Sequence, residues 1–311
     1  MSSTADFRFF FRFLLAVLFA LPSWTGAEAA ASAAKSSVSA VSDPASRFTR
    51  GLLWKIESPG ATASYLFGTI HSDDARVIAL PEAVTRSLDT SSRFVMEAII
   101  DGEALVRMAE VMFFNDGRTL EQVVGKKLHM ESMKALTARG VPTLGIEKQK
   151  PWAVMMTLSM PPPKTGEYLD LVLQARATEQ NKPVSGLETI AEQLAVFDGL
   201  PLLDQVALLQ DTVNTQTELE KEFEALHKAY LARNLGDITA ITEKNKPGDE
   251  RLYEEVMDRL LAKRNRRMVE RMVPILKQGG AFMAVGAAHL PGETGLLYRL
   301  EKAGYRVTVV Y

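Results

Sequence analysis

Apolar residues fall along this chain in short blocks that read as strands, separated by longer stretches of helical period. Leu52-Leu53-Trp54-Lys55-Ile56 and Ser64-Tyr65-Leu66-Phe67-Gly68 flank the turn signal Ser58-Pro59-Gly60-Ala61 and predict a β-hairpin. Pro81-Glu82-Ala83-Val84 opens a short helix with proline at an early helical position. Ser92-Arg93-Phe94-Val95-Met96-Glu97-Ala98 reads as the next strand, with Glu97 near its end. Residues 103–138 alternate helical stretches with the turn Asn115-Asp116-Gly117, and Val141-Pro142-Thr143-Leu144 reads as a connection. A helix from Pro151-Trp152 must stop at Met160, because Pro161-Pro162-Pro163 cannot continue it. That stiff loop reads equally as a lid over a site or as a spacer.

Tyr168 to Ala177 is amphipathic and helical, and Lys182-Pro183-Val184-Ser185-Gly186-Leu187-Glu188 is a short strand with Glu188 at its end. Helical pattern resumes at Glu192 and runs to about Asn234, with a break near Pro201. A second long helix spans about Asp249 to Gln278, after the breaker Lys246-Pro247-Gly248. Phe282 to His289, a helix between Gly292 and Ala303, and the strand Tyr305 to Val310 complete the chain. Six strands separated by helices predict an α/β fold: a mixed central sheet flanked by helices, with a helical cap at about 190–278.

Two of the strands end alike. Gly68-Thr69-Ile70-His71 closes one apolar run and Gly286-Ala287-Ala288-His289 closes another, in a chain with only four histidines. Strand ends are where α/β proteins bind ligands, so the two imidazoles are expected to meet at one site. The chain then reads as two related halves, each supplying one histidine.

Composition narrows the class. Of 311 residues 47% are hydrophobic, enough for a sizeable core. Net charge is −2 with both signs interspersed, which excludes the basic stripe of a nucleic-acid binder. The absence of cysteine removes disulfides, thiolate nucleophiles and every cysteine-based zinc site. Arg8, Arg12, the apolar run Phe13 to Leu21 and the small residues at Ala27-Glu28-Ala29 read as a signal peptide over 1–29, an uncleaved anchor being the alternative. An Ala/Ser-rich lead-in over 30–46 and one α/β domain over 47–311 follow. No later segment reaches eighteen apolar residues, so no membrane span is expected after cleavage and the location is read as periplasmic or secreted. Nothing in the pattern sets an oligomeric state.

Four chemical groups fall at inferred strand ends: His71, Glu97, Glu188 and His289. Two neutral imidazoles with carboxylates suit a divalent metal such as Zn, Mn, Co or Fe(II), which lowers the pKa of bound water. An uncoordinated carboxylate serves as general base. Without a metal the same groups form a His/Glu acid–base pair. His129 and His227 lie in charged helical stretches and read as surface residues, and Glu218, Glu220, Glu222 and Glu224 as a solvated helix face. There is no Gly-x-Ser-x-Gly elbow, phosphate-binding loop or His-Glu-x-x-His.

Leu66-Phe67-Gly68-Thr69-Ile70-His71, Val95-Met96-Glu97, Gly186-Leu187-Glu188-Thr189 with Glu192-Gln193, Arg264-Asn265 and Ala284 to Leu290 with Gly292 follow in an order that resembles the TraB/GumN family. That family is related to the pheromone-shutdown proteins and the Tiki metalloproteases, and the resemblance runs from about Leu52 to Tyr311. It implies a metal-dependent hydrolase on an α/β core, with proteolysis of an exposed N-terminal segment of a secreted ligand, supported by Mn or Co, for Tiki-like members. By similarity His71 and His289 match the two motif histidines and Glu97 the acid after the second core strand; the reading here has these three bind the metal and Glu188, at a further family position, act as ligand or base. Asp170, Arg264 and Asn265 match further positions, with Arg264 and Asn265 read as holding substrate. Glu167-Tyr168-Leu169-Asp170 departs from the Gly-Leu-Asp frequent in the family. The expectation is an exported hydrolase, most plainly a peptidase, acting on a peptide or small-molecule substrate. A non-catalytic periplasmic binding protein and a metal-independent His/Glu esterase are the alternatives.

Overall fold

A computed structural model of the chain describes residues 47–244 and 249–311. The signal peptide and lead-in read at 1–46 lie outside the described residues.

All six expected strands form one sheet, in the order β4-β3-β5-β2-β1-β6. They are β1 (Leu53–Glu57), β2 (Ser64–Thr69), β3 (Arg93–Met96), β4 (Val184–Gly186), β5 (Ala281–Gly286) and β6 (Arg306–Val309). The β1–β2 hairpin pairs Leu53 with Phe67 and Ile56 with Ser64, and β6 adds antiparallel to β1. The other contacts, β2 to β5, β5 to β3 and β3 to β4, are parallel. β5 and β2 are the two central strands, and all six residues of β5 are buried, the continuous apolar run expected of a strand covered on both faces.

The parallel arrangement places the C-terminal ends of β2, β5, β3 and β4 along one rim of the sheet. Helices Glu82–Thr90, Leu169–Glu179, Leu219–Leu231 and Lys263–Gln278 contribute to the apolar cluster around the sheet, through residues such as Leu88, Leu173, Tyr230 and Met268. A second apolar cluster lies among helices. It draws on 98–158, with Trp152 and Leu158, as well as on 190–260, with Phe197 and Leu260. The helical layer is therefore built from two separate stretches of sequence, while 226–241 and 268–276 pack with the sheet. The long helix read at 249–278 is helical throughout, but a π-turn at Asp258–Ala262 joins its two segments. Such turns alter the helical phase, and this one immediately precedes Arg264. Among the described residues no helix is long and apolar enough to cross a membrane.

Candidate functional site

The rim of the sheet assembles the site. Thr69 of β2 is in register with Gly286 of β5, so the two Gly-x-x-His segments leave adjacent strands side by side. They also interlock: a Cβ on Gly68 would lie 2.7 Å from Leu290 Cδ1 and 3.1 Å from the Ala287 Cα. The glycine of the first segment thus admits the 3-10 turn Ala287–His289 that carries the second histidine. Beyond β3 and β4 the backbone stays paired, with Leu187 N donating to Met96 O (2.8 Å) and Glu188 N to Glu97 O (2.7 Å). Thr189 then caps the helix Ile190–Asp198 in a reciprocal box with Glu192, fixing the exit of the chain after Glu188.

Glu97 and Glu188 are buried together and share one cation. Arg264 donates from Nη2 to Glu97 Oε2 at 2.5 Å and from Nε to Glu188 Oε2 at 2.8 Å. Arg267 donates to Glu188 Oε1 through Nε (3.0 Å) and Nη2 (2.6 Å), and Gln193 Nε2 reaches both acids at 3.2 and 3.4 Å. The Gly286 N–H donates to Glu97 Oε1 at 2.6 Å. Burial raises the Glu97 pKa above the ordinary value, with Arg264 and the Gly286 N–H opposing it. Burial works against the Arg264 charge as well, yet Glu97 and Glu188 outweigh it and hold its pKa up.

His289 is fully buried and neutral, its pKa held well below 6.5 by burial and then by Arg264. Its tautomer follows from its neighbour. Asn265 Nδ2 donates to Thr294 O at 2.8 Å, which turns Asn265 Oδ1 toward His289 Nδ1, 2.6 Å away. An oxygen there requires a proton on Nδ1, so Nε2 carries the lone pair. Among the described residues that lone pair has no hydrogen-bond partner, and it stands 3.6 Å from Glu97 Oε1.

His71 is held by a different set of residues. Its ring stacks on Tyr168 with centroids 4.2 Å apart, and its Nδ1 is 3.4 Å from Asp170 Oδ2. Thr69 Oγ1 donates to Asp170 Oδ1 at 2.7 Å. The departure from Gly-Leu-Asp at 167–170 therefore still brings Asp170 to the first histidine. The proline loop is fastened nearby: the N–H groups of Lys164, Thr165 and Gly166 all donate to Asp73 Oδ2, at 2.5, 2.7 and 3.1 Å. A small pocket of about 30 Å³ lies against His71, Glu97, Asp170, Ile190 and Gln193. Such a volume admits one or two waters and little else. Glu188 lines a larger cleft of about 390 Å³.

His71, Glu97, Glu188 and His289 are thus all at one rim. Arg264 and Asn265, expected to hold substrate, are each 1% exposed and turned inward, Arg264 onto two carboxylates and Asn265 onto His289. Their geometry is that of positioning residues. Glu188, expected as ligand or base, has both oxygens engaged by arginines. His227 corrects a surface reading: it is buried, 2.8 Å from Ser72 Oγ and 3.7 Å from Asp74, because its helix turns that face to the loop after β2. Arg267, Tyr168 and Tyr230, whose hydroxyl donates to Gly68 O at 2.9 Å, were not anticipated. Arg267 was discoverable, since positions 264, 267 and 271 share one helix face.

A divalent metal fits this rim in chemistry and only in part in assembly. A neutral imidazole with a directed lone pair faces a carboxylate oxygen, as a metal requires. Among the described residues, however, no three His, Asp or Glu side chains are grouped to hold an ion, so His71, His289 and Glu97 do not stand as a closed shell.

Metalloprotease TIKI2 of Danio rerio is 25% identical over 82% of this chain and 60% of its own length. The metalloprotease TIKI homologue of Amphimedon queenslandica is 24% identical over the same shares. Human metalloprotease TIKI1 is 24% identical over 95% of this chain and 68% of its own. The chain thus spans about 60% of the length of the first two relatives. No solved structure matches it. The sequence profile of the TraB/PrgY/gumN family matches residues 52–309, through every strand of the sheet, and the chain belongs to that family.

Proposed function

We propose that this chain is an exported, metal-dependent hydrolase that cleaves peptides at the rim formed by His71, Glu97 and His289. The observation that carries the reading is the buried His289 Nε2 lone pair, without a hydrogen-bond partner among the described residues, facing Glu97 Oε1 at 3.6 Å. The metalloprotease names of the relatives support it. His289, Glu97 and His71 would hold a divalent ion such as Mn, Co or Zn, which when bound supplies Lewis acidity and a more acidic water.

The chain's own residues prepare that chemistry. Asn265 keeps the proton on His289 Nδ1, so Nε2 stays a donor of electrons. Arg264 and the Gly286 N–H fix both oxygens of Glu97 and oppose the effect of burial on its charge. Asp170 orients His71, and Tyr168 covers it. The buried surroundings strengthen each of these interactions by excluding water.

The test is to purify the protein, measure bound metal, and assay cleavage of a mixed peptide library by mass spectrometry. Wild type is expected to hold metal and cleave, and the His71→Ala/His289→Ala double variant to lose both. Unchanged metal content and activity in the double variant would overturn the reading. Because Glu97 and His289 already form a pair of opposed acid–base groups, metal-free hydrolysis is the second reading; cleavage that survives chelation would favour it.

A further inference from the structure

We infer that the larger cleft beside Glu188 is a binding subsite for a lysine or arginine side chain of an extended peptide. This rests on the peptidase reading of the inner rim. The cleft, about 390 Å³, has Ile99, Ala104, Ile190 and Ala191 as its apolar lining, with Asp101 and Glu103 beside them. Ile190 also lines the pocket of about 30 Å³ that holds His71 and Glu97. One side chain is therefore the shared wall between a space of substrate size and a space of water size.

The charges in the cleft select its occupant. Glu188 is neutralised by Arg264 and Arg267, and Arg107, also at the cleft, pairs with Glu110 at 3.1 Å. Asp101 and Glu103 are exposed and, among the described residues, make no ion pair, so the net field is that of two carboxylates. Asp101 is held in place by the Ala104 N–H at 2.9 Å as the cap of the helix Gly102–Met112. An aliphatic lining ending in carboxylates complements a long side chain with a cationic tip. β4 ends at this cleft with Gly186 and forms the edge of the sheet, a backbone edge against which an extended peptide can lie.

The test uses two fluorescein-labelled octapeptide pools, identical except that lysine in one is glutamine in the other. Fluorescence anisotropy reads binding to the full-length protein, and mass spectrometry reads cleavage in the same samples. The lysine pool is expected to bind about 3- to 30-fold more tightly, the range for two exposed carboxylates. Asp101→Asn/Glu103→Gln, which keeps a capping side chain at 101, should abolish that preference. Ala191→Trp, on an exposed helical position, should weaken binding of both pools by filling the cleft. Equal binding of the two pools, no binding, or a preference that survives the double variant overturns the inference. Selective binding without cleavage upholds the subsite and sinks the hydrolase reading instead.

Discussion

Nε2 of His289 and Oε1 of Glu97 face each other across 3.6 Å, both on buried residues. Two Lewis bases in such opposition repel unless a proton or a cation stands between them. The titration of this pair is therefore a direct reporter of the site.

Burial holds His289 well below its ordinary 6.5, so the unfolded chain takes up a proton that the folded chain refuses. Stability from this group is complete above about pH 6.5 and falls as the pH drops below that value. Glu97 has the opposite sign: its raised pKa means the folded state gains relative stability as Glu97 protonates on acidification. Thermal denaturation of wild type and His289→Gln from pH 8 to 5 separates the two. The variant should lose less stability on acidification, and a constant difference between the curves counts against a neutral buried imidazole.

Removing Arg264 leaves Glu97 and Glu188 buried with only Arg267 to compensate them, on the Glu188 side. Arg264→Met is expected to cost about 3–5 kcal/mol, the range for breaking a buried ion pair from one side. Arg264→Lys should cost less, since an ammonium can satisfy one acid but not span both. Adding Glu97→Gln to Arg264→Met should recover part of the loss. Urea denaturation measures all three, and no recovery would mean the acids are not coupled through Arg264.

Gly68 is forced by space and not by a turn. Gly68→Ala sets a methyl 3.1 Å from the Ala287 backbone and 2.7 Å from Leu290, a clash worth about 1–3 kcal/mol in a packed interior. Leu290→Ala in the same chain should relieve some of it, because the leucine tip is the nearer obstacle. Additive losses in chemical denaturation would contradict this contact.

Asp73 fastens the loop after the three prolines by three N–H donors on one oxygen. Asp73→Ala should speed proteolytic cleavage at 161–167 and slow peptide hydrolysis by about 10- to 100-fold, the usual penalty for lost orientation of a site group. Asp73→Asn, which keeps one acceptor oxygen, should fall between. Digestion followed by mass spectrometry reports the first effect, and an unchanged cut pattern would show that the loop has another anchor.

The strands and the four rim residues were legible because each depends on local pattern: an apolar run, a breaker, then a polar group. Partnership was not legible. Arg264 could be seen on a helix, but which acids it would meet depends on a helix crossing strand ends 76 and 167 residues away in sequence. His227 was misread for the same reason, since its helix carries charge on one side and packs with the other, as buried Phe223 and Tyr230 attest. The cap boundaries blurred because the second apolar cluster recruits a stretch before β4 that has its own strong helical period.

β5 lies between β2 and β3, yet it is the fifth strand to leave the ribosome. Until it arrives, β2 and β3 each present an open edge, and the sheet is two separate pieces, β1–β2 and β3–β4. Strand edges left waiting are points of mispairing, and closing them needs contacts across some 200 residues of chain, a slow step in folding. Because β5 also leads to His289, the strand that joins the two pieces of the sheet is the one that brings the second histidine to the rim. The rim is thus assembled only when strands about 200 residues apart in sequence have met.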